Sequence, residues 1–121
     1  MTAILTVDDS ASIRQAIKIA LSGEGYGVTE AVNGAEGLDK AGAGRFDLII
    51  TDLNMPVMDG LTMIRELRKR PAQAGVPILF LTTESDAEIK QQAKAAGATG
   101  WLTKPFDPEQ LLRIVKKVLA K

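Results

Sequence analysis

The chain contains no cysteine and no histidine, and those two gaps remove more chemistry than any total in its composition. Without cysteine there are no disulfides, no thiolate nucleophiles and no cysteine-held metal or iron–sulfur centres. Without histidine there is no imidazole base and no usual zinc site. An excess of charge of either sign is missing too. Fifteen basic residues balance fifteen acidic ones, so no electrostatic footprint marks nucleic acid or an anionic membrane as the main partner. No apolar run approaches the roughly 20 residues needed to span a bilayer. The opening MTAILTV is too short for a signal h-region and has no basic residues ahead of it, so a cytoplasmic chain without membrane insertion is expected. Chemistry is thereby confined to carboxylates, hydroxyls, amines or a hard metal ion.

What the chain does have is ordinary globular material. Its 121 residues, 45% hydrophobic and 25% charged, suffice for one domain with its own core. Three apolar runs, Ala3 to Val7, Phe46 to Thr51 and Val76 to Thr82, read as buried strands. Tyr26 to Ala31 and Thr99 to Thr103 read more weakly, as edge strands do. Between them lie helical patterns. Ile13, Ala16, Ile17, Ala20 and Leu21 form an i, i+3, i+4 stripe stopped at Gly23. Leu38 with its neighbouring alanines marks a short second helix. Leu61, Ile64 and Leu67 mark a third, ending before Pro71. Ser85 with Glu88 is a capping box opening a fourth helix, whose apolar stripe of Ile89, Ala93 and Ala96 is thin. Asp107, Pro108 and Gln110 combine an N-cap, a proline at N1 and a box partner. Leu111, Val115, Val118 and Leu119 then supply the apolar face of the last helix. Five rounds of strand then helix, without repeats or linkers, predict an α/β fold with a parallel sheet covered on both faces.

In such sheets ligands collect at the carboxyl ends of the strands. Asp8 and Asp9 follow the first strand, Asp52 the third, Thr82 and Thr83 the fourth, and Lys104-Pro105 the fifth. Each has a plain alternative: aspartate after a strand is often a helix N-cap, and Asp59-Gly60 is an ordinary turn signal. Together they say more. Three carboxylates about 5 Å apart repel by roughly 3 kcal/mol per pair at an effective dielectric near 20. A fold holding them needs a cation or shifted pKa values. Oxygen ligands alone suit Mg²⁺ or another hard divalent ion. A cation, the Thr82 hydroxyl and the Lys104 ammonium around one carboxylate would hold a phosphoryl group in transfer, with the central carboxylate as nucleophile.

LTVDDSASIR, LIITDLNMPVMDG, LFLTTES and GWLTKPF resemble, in order, the four motif regions of response-regulator receiver domains, especially the single-domain CheY type. The resemblance covers the whole chain. It implies a flavodoxin-like (βα)5 fold with strand order 2-1-3-4-5. It implies that Asp52 accepts phosphate from a histidine kinase. Asp9 and Asp52 would ligate Mg²⁺ directly, with the Asn54 carbonyl as a third ligand and Asp8 acting largely through water. Thr82 would be the switch hydroxyl, Lys104 the amine that pairs with the phosphoryl group, and Lys104-Pro105 a cis peptide. Asn54 and Glu84 would tune water access to the acyl phosphate. Met55 and Pro56 would shape the loop beside the metal, Gly60 would permit a tight turn, and Asp59 reads as a turn or cap residue. One departure stands out: the switch aromatic three residues before the lysine is usually Tyr or Phe, and here it is Trp101.

The last predicted helix reaches the end of the sequence, so a single receiver domain over residues 1–121 with no output domain is expected. Output would then come from a monomer binding a partner through its fourth helix, fifth strand and fifth helix, the last ending in Lys116 and Lys117. The resemblance implies a CheA-like kinase as donor and a target such as a motor switch component. A phosphate sink for a shared kinase, or a regulator of pilus motility, are the alternatives. Rival chemistries fit less well. A dehalogenase-type phosphatase needs an aspartate where Asn54 stands, and a flavodoxin phosphate loop would meet repulsion from Asp8 and Asp9. A degenerate, binding-only receiver would not need the full set of Asp8, Asp9, Asp52, Thr82 and Lys104.

Overall fold

A computed structural model describes residues 2–53, 55–83 and 87–120. The elements alternate throughout: β1 (Ala3–Val7), α1 (Ala11–Ser22), β2 (Gly27–Ala31), α2 (Gly34–Ala43), β3 (Leu48–Asp52), α3 (Gly60–Lys69), β4 (Ile78–Thr82), α4 (Ala87–Ala96), β5 (Gly100–Thr103) and α5 (Pro108–Leu119). A 3-10 turn, Pro71–Gln73, follows α3. The strands pair in parallel in the order β2-β1-β3-β4-β5. This is the flavodoxin-like arrangement, with the two weakly patterned strands at the edges.

Period-two alternation divides the core between the two faces of the sheet. Ile4, Leu48, Ile50, Leu79 and Leu81 meet Ile17 and Leu21 of α1 and Leu111, Val115 and Val118 of α5. Leu5, Val7, Ile49, Ile78 and Phe80 meet Leu38 and Ala41 of α2, Met63, Ile64 and Leu67 of α3, and Ala93 of α4. The helices contribute unequally. Fully burying a large aliphatic side chain is worth about 1.5–3 kcal/mol; α5 buries three such residues, whereas Ala93 is the sole buried residue of α4.

Helix starts follow local chemistry. Asp107 accepts from the Gln110 amide while the Gln110 side chain returns the bond, completing the capping box. Asp59 caps α3 by accepting from Thr62 N at 2.8 Å. Ser10 and Asn33 cap α1 and α2. Ser85 of the fourth expected cap lies outside the described residues. Gly23 stops α1 as its sequence reading expects, with right-handed geometry at φ −62°, and the left-handed residue of the turn is Gly25 at φ +87°. The Tyr26 amide reaches back to the Leu21 carbonyl across that turn. β3 and β4 begin two residues later than their apolar runs, and β3 extends one residue further, because Asp52 still pairs with Leu81.

Candidate functional site at the carboxyl edge of the sheet

The last residues of β1, β3 and β4, with the turn after β5, bring the predicted side chains together. Asp8 follows β1 and has no exposed surface, Asp52 ends β3 at 7% exposure, and Thr82 ends β4 at 2%. Asp9 and Thr83 stand beside them in solvent. Carboxylate oxygens of Asp8, Asp9 and Asp52 all lie within 4.8 Å of one another. Lys104 reaches in from the far side, its ammonium 3.2 Å from Asp8 Oδ2 and 3.4 Å from Asp52 Oδ2. The Lys104–Pro105 peptide is cis, and the Lys104 amide donates to the Thr82 carbonyl at 2.9 Å. Asn54 and Glu84 lie outside the described residues.

Each acid has a different environment. Burial pushes the Asp8 carboxyl above the usual range and the Asp52 charge adds to this, while the Ser10 amide bond and Lys104 pull the other way. Asp8 Oδ1 accepts from Ser10 N at 2.9 Å. Asp52 Oδ1 accepts from its neighbour Leu53 N at 2.8 Å. Asp9 has no hydrogen bond to its carboxylate among the described residues. Two anions share one ammonium and a third stands at the rim, all oxygen donors and no softer ligand. That donor set fits a hard divalent cation such as Mg²⁺.

Two features of the site were not visible in the sequence. Arg14, the fourth residue of α1, folds back so that Nη1 donates to the Asp8 carbonyl at 2.6 Å, while Nε lies 3.3 Å from Glu30 Oε1 on β2. Gly60 has no left-handed backbone, so a tight turn is not what requires it. A Cβ at Gly60 would sit 2.1 Å from the Asp52 carbonyl oxygen and 2.9 Å from the Leu53 Cα. The glycine lets α3 start against the backbone that carries Asp52. Among the described residues of this loop, the left-handed one is Val57, at φ 70° and 84% exposed, with the Met58 amide donating to the Pro56 carbonyl across it.

Trp101 lies on β5, opposite Phe80 of β4, with ring centroids 6.2 Å apart. It is 36% exposed, and the ammoniums of Lys90 and Lys94 on α4 stand 4.9 and 5.7 Å from the indole centroid. The indole thus joins the edge strand to α4 through cation–π contacts.

Comparison with known proteins gives this geometry a context. Among solved structures, the chemotaxis protein CheY4 of Vibrio cholerae is 50% identical at a TM-score of 0.94, with 98% of each chain covered. The receiver domain of a sensor histidine kinase from Pseudomonas aeruginosa, with a magnesium ion coordinated in its active-site cleft, is 31% identical at a TM-score of 0.92, over 99% of this chain and 98% of its own. Among curated proteins, the transcriptional regulatory protein ResD of Bacillus subtilis is 37% identical over 99% of this chain and 49% of its own length. The chain spans about half the length of the curated relatives it matches. Residues 4–116, from the first strand into the last helix, match the response regulator receiver domain. The chain therefore belongs to the response-regulator receiver domain family, whose members act as phosphorylatable signalling switches.

Proposed function

We propose that Asp52 is the phosphoacceptor of this receiver and that a histidine kinase is its donor. The observation that carries the reading is Lys104, whose ammonium lies within salt-bridge distance of both Asp8 and Asp52 at the end of β3. An Asp52 carboxylate oxygen attacks phosphorus, an O–P bond forms as the donor's N–P bond breaks, and the product is an acyl phosphate. Lys104 supplies a fixed positive charge to the phosphoryl oxygens, and the Thr82 hydroxyl, at the end of the neighbouring strand, turns toward the new group. Asp9 and Asp52 would hold Mg²⁺ with the Asn54 carbonyl, and Asp8 through water. Bound there, the ion offsets charge on the phosphoryl oxygens.

The readout is a change in the face formed by α4, β5 and α5, through Trp101, where a protein target docks. Similarity to CheY4 over 98% of each chain supports chemotaxis and a CheA-like donor, with a motor switch component as target. A phosphate sink or a role in pilus motility would use the same site with a different partner. The test is transfer of labelled phosphate from candidate kinases, in Mg²⁺ and in EDTA, with Asp52→Ala as control. A pull-down comparing phosphorylated and unmodified protein runs alongside it. Label should reach the wild type in Mg²⁺ only; label reaching Asp52→Ala equally would overturn the assignment.

A further inference from the structure

Arg14 breaks a local rule. The positive end of a helix dipole disfavours cations in its first turn, where acidic residues belong. Yet α1 has no acidic residue in that turn, and its fourth residue is an arginine whose side chain is only 15% exposed. A residue placed against its own helix requires a reason in the tertiary structure. Its contacts supply one. Nη1 donates to the Asp8 carbonyl, and Nε is held by Glu30, which Lys18 also approaches at 3.7 Å.

The carbonyl it grips belongs to the peptide joining Asp8 to Asp9. Asp8 is already fixed without that contact, because its amide donates to the Ala31 carbonyl and its carboxylate oxygens are held by Ser10 and Lys104. Asp9 is not. Its carboxylate has no hydrogen bond among the described residues, so its aim depends on the backbone either side of it. On the far side, Ser10 is fixed by its bond to Asp8 and by capping α1. On the near side, the peptide is held by Arg14.

We propose that Arg14, anchored by Glu30, is a positioning residue: by fixing the Asp8–Asp9 peptide it aims Asp9 into the carboxylate cluster that binds a divalent cation. This rests on the metal reading given above. Arg14 touches no reacting atom in this account and acts through Asp9.

Calorimetric titration of Mg²⁺ into wild type, Arg14→Gln, Arg14→Lys and Glu30→Gln separates the possible roles, because their signs differ. If Arg14 acted only as a nearby positive charge, Arg14→Gln would bind Mg²⁺ more tightly, since a competing cation is gone. If it only tied α1 to β2, the melting temperature would fall with Mg²⁺ affinity unchanged. Either outcome overturns the proposal. Positioning weakens Mg²⁺ binding about tenfold or more in Arg14→Gln, as removal of outer-shell partners does elsewhere. Arg14→Lys, which keeps one donor without the fork, should lie between wild type and the glutamine variant. A lysine variant no better than glutamine would count against the carbonyl grip. Should Arg14→Gln fail to fold, Glu30→Gln decides, with about two- to fivefold weaker binding expected and unchanged binding overturning the proposal. Failure of wild type itself to bind Mg²⁺ would overturn the metal reading, and this assignment with it.

Discussion

Replacing Asp8 by asparagine should stabilise the metal-free protein while weakening its response to Mg²⁺. At an effective dielectric near 20, carboxylate oxygens within 4.8 Å of one another repel by at least about 3.5 kcal/mol, and Lys104 at 3.2 Å attracts Asp8 by about 5 kcal/mol. The repulsion from Asp9 is discounted, because Asp9 is exposed to water and salt. The Coulomb terms at Asp8 therefore leave about 1.5 kcal/mol of attraction or less, and desolvation outweighs it. Burying an ionised carboxylate costs several kcal/mol, and burying a hydrogen-bonded amide costs much less. Asparagine keeps an oxygen for the Ser10 amide, and Lys104 keeps Asp52 at 3.4 Å. The expected gain is about 1–2 kcal/mol, or roughly 3–6 °C in melting temperature per kcal/mol for a chain of this size. Thermal or urea unfolding at neutral pH, in EDTA and then in Mg²⁺, reads it directly. Wild type should overtake the variant in Mg²⁺, since a ligand at a hundred times its Kd adds about 2.7 kcal/mol. An Asp8→Asn protein less stable than wild type in EDTA would refute the reasoning, because attraction to Lys104 would then outweigh burial and repulsion combined.

Three further outcomes follow from the loop after β3 and from β5. Gly60→Ala should destabilise by about 2 kcal/mol or more in urea unfolding, because the new methyl strikes backbone atoms that cannot rotate away. The same variant should slow phosphorylation, since the oxygen it strikes belongs to Asp52. Val57→Gly should raise stability by about 1 kcal/mol, as relief of a left-handed β-branched residue exceeds the added chain entropy; a lower urea midpoint would count against strain there. Trp101 fluorescence should change when a phosphoryl mimic is added with Mg²⁺, because Lys90 and Lys94 lie against the ring. An unchanged spectrum with binding shown independently would mean that the indole does not move.

The fold was legible where short-range signals determine it. Three continuous apolar runs look like buried strands from their length and composition, and the Asp107-Pro108-Gln110 pattern forms its cap within four residues. Strand ends were less legible. An aspartate closing an apolar run looks like the start of a loop, yet Asp52 remains in the ladder opposite Leu81. The identities of the clustered acids and Lys104 were readable because parallel topology brings strand ends to one edge. Their supports were not. Arg14 matters through a long side chain turned back over its own helix, and Gly60 through a contact with the strand before it. Val57 adopts a backbone that its residue type disfavours. None of these leaves a trace in periodicity or composition.

The slender anchoring of α4 has a consequence for how the molecule opens. Among the described residues, one buried alanine, the partly buried Ile89 and Ala96, the two lysines over Trp101 and the Arg68 guanidinium on the Gly97 carbonyl after the helix help hold it to the body. Amide protons of α4 should therefore exchange with solvent by local opening, far below the free energy of global unfolding. Those of β3 and β4, covered on both faces, should exchange only when the whole sheet comes apart. α4, one element of the face proposed for a partner, would then come loose before the central strands, and a ligand that orders it would be detected as slowed exchange in α4 before any change in the strands.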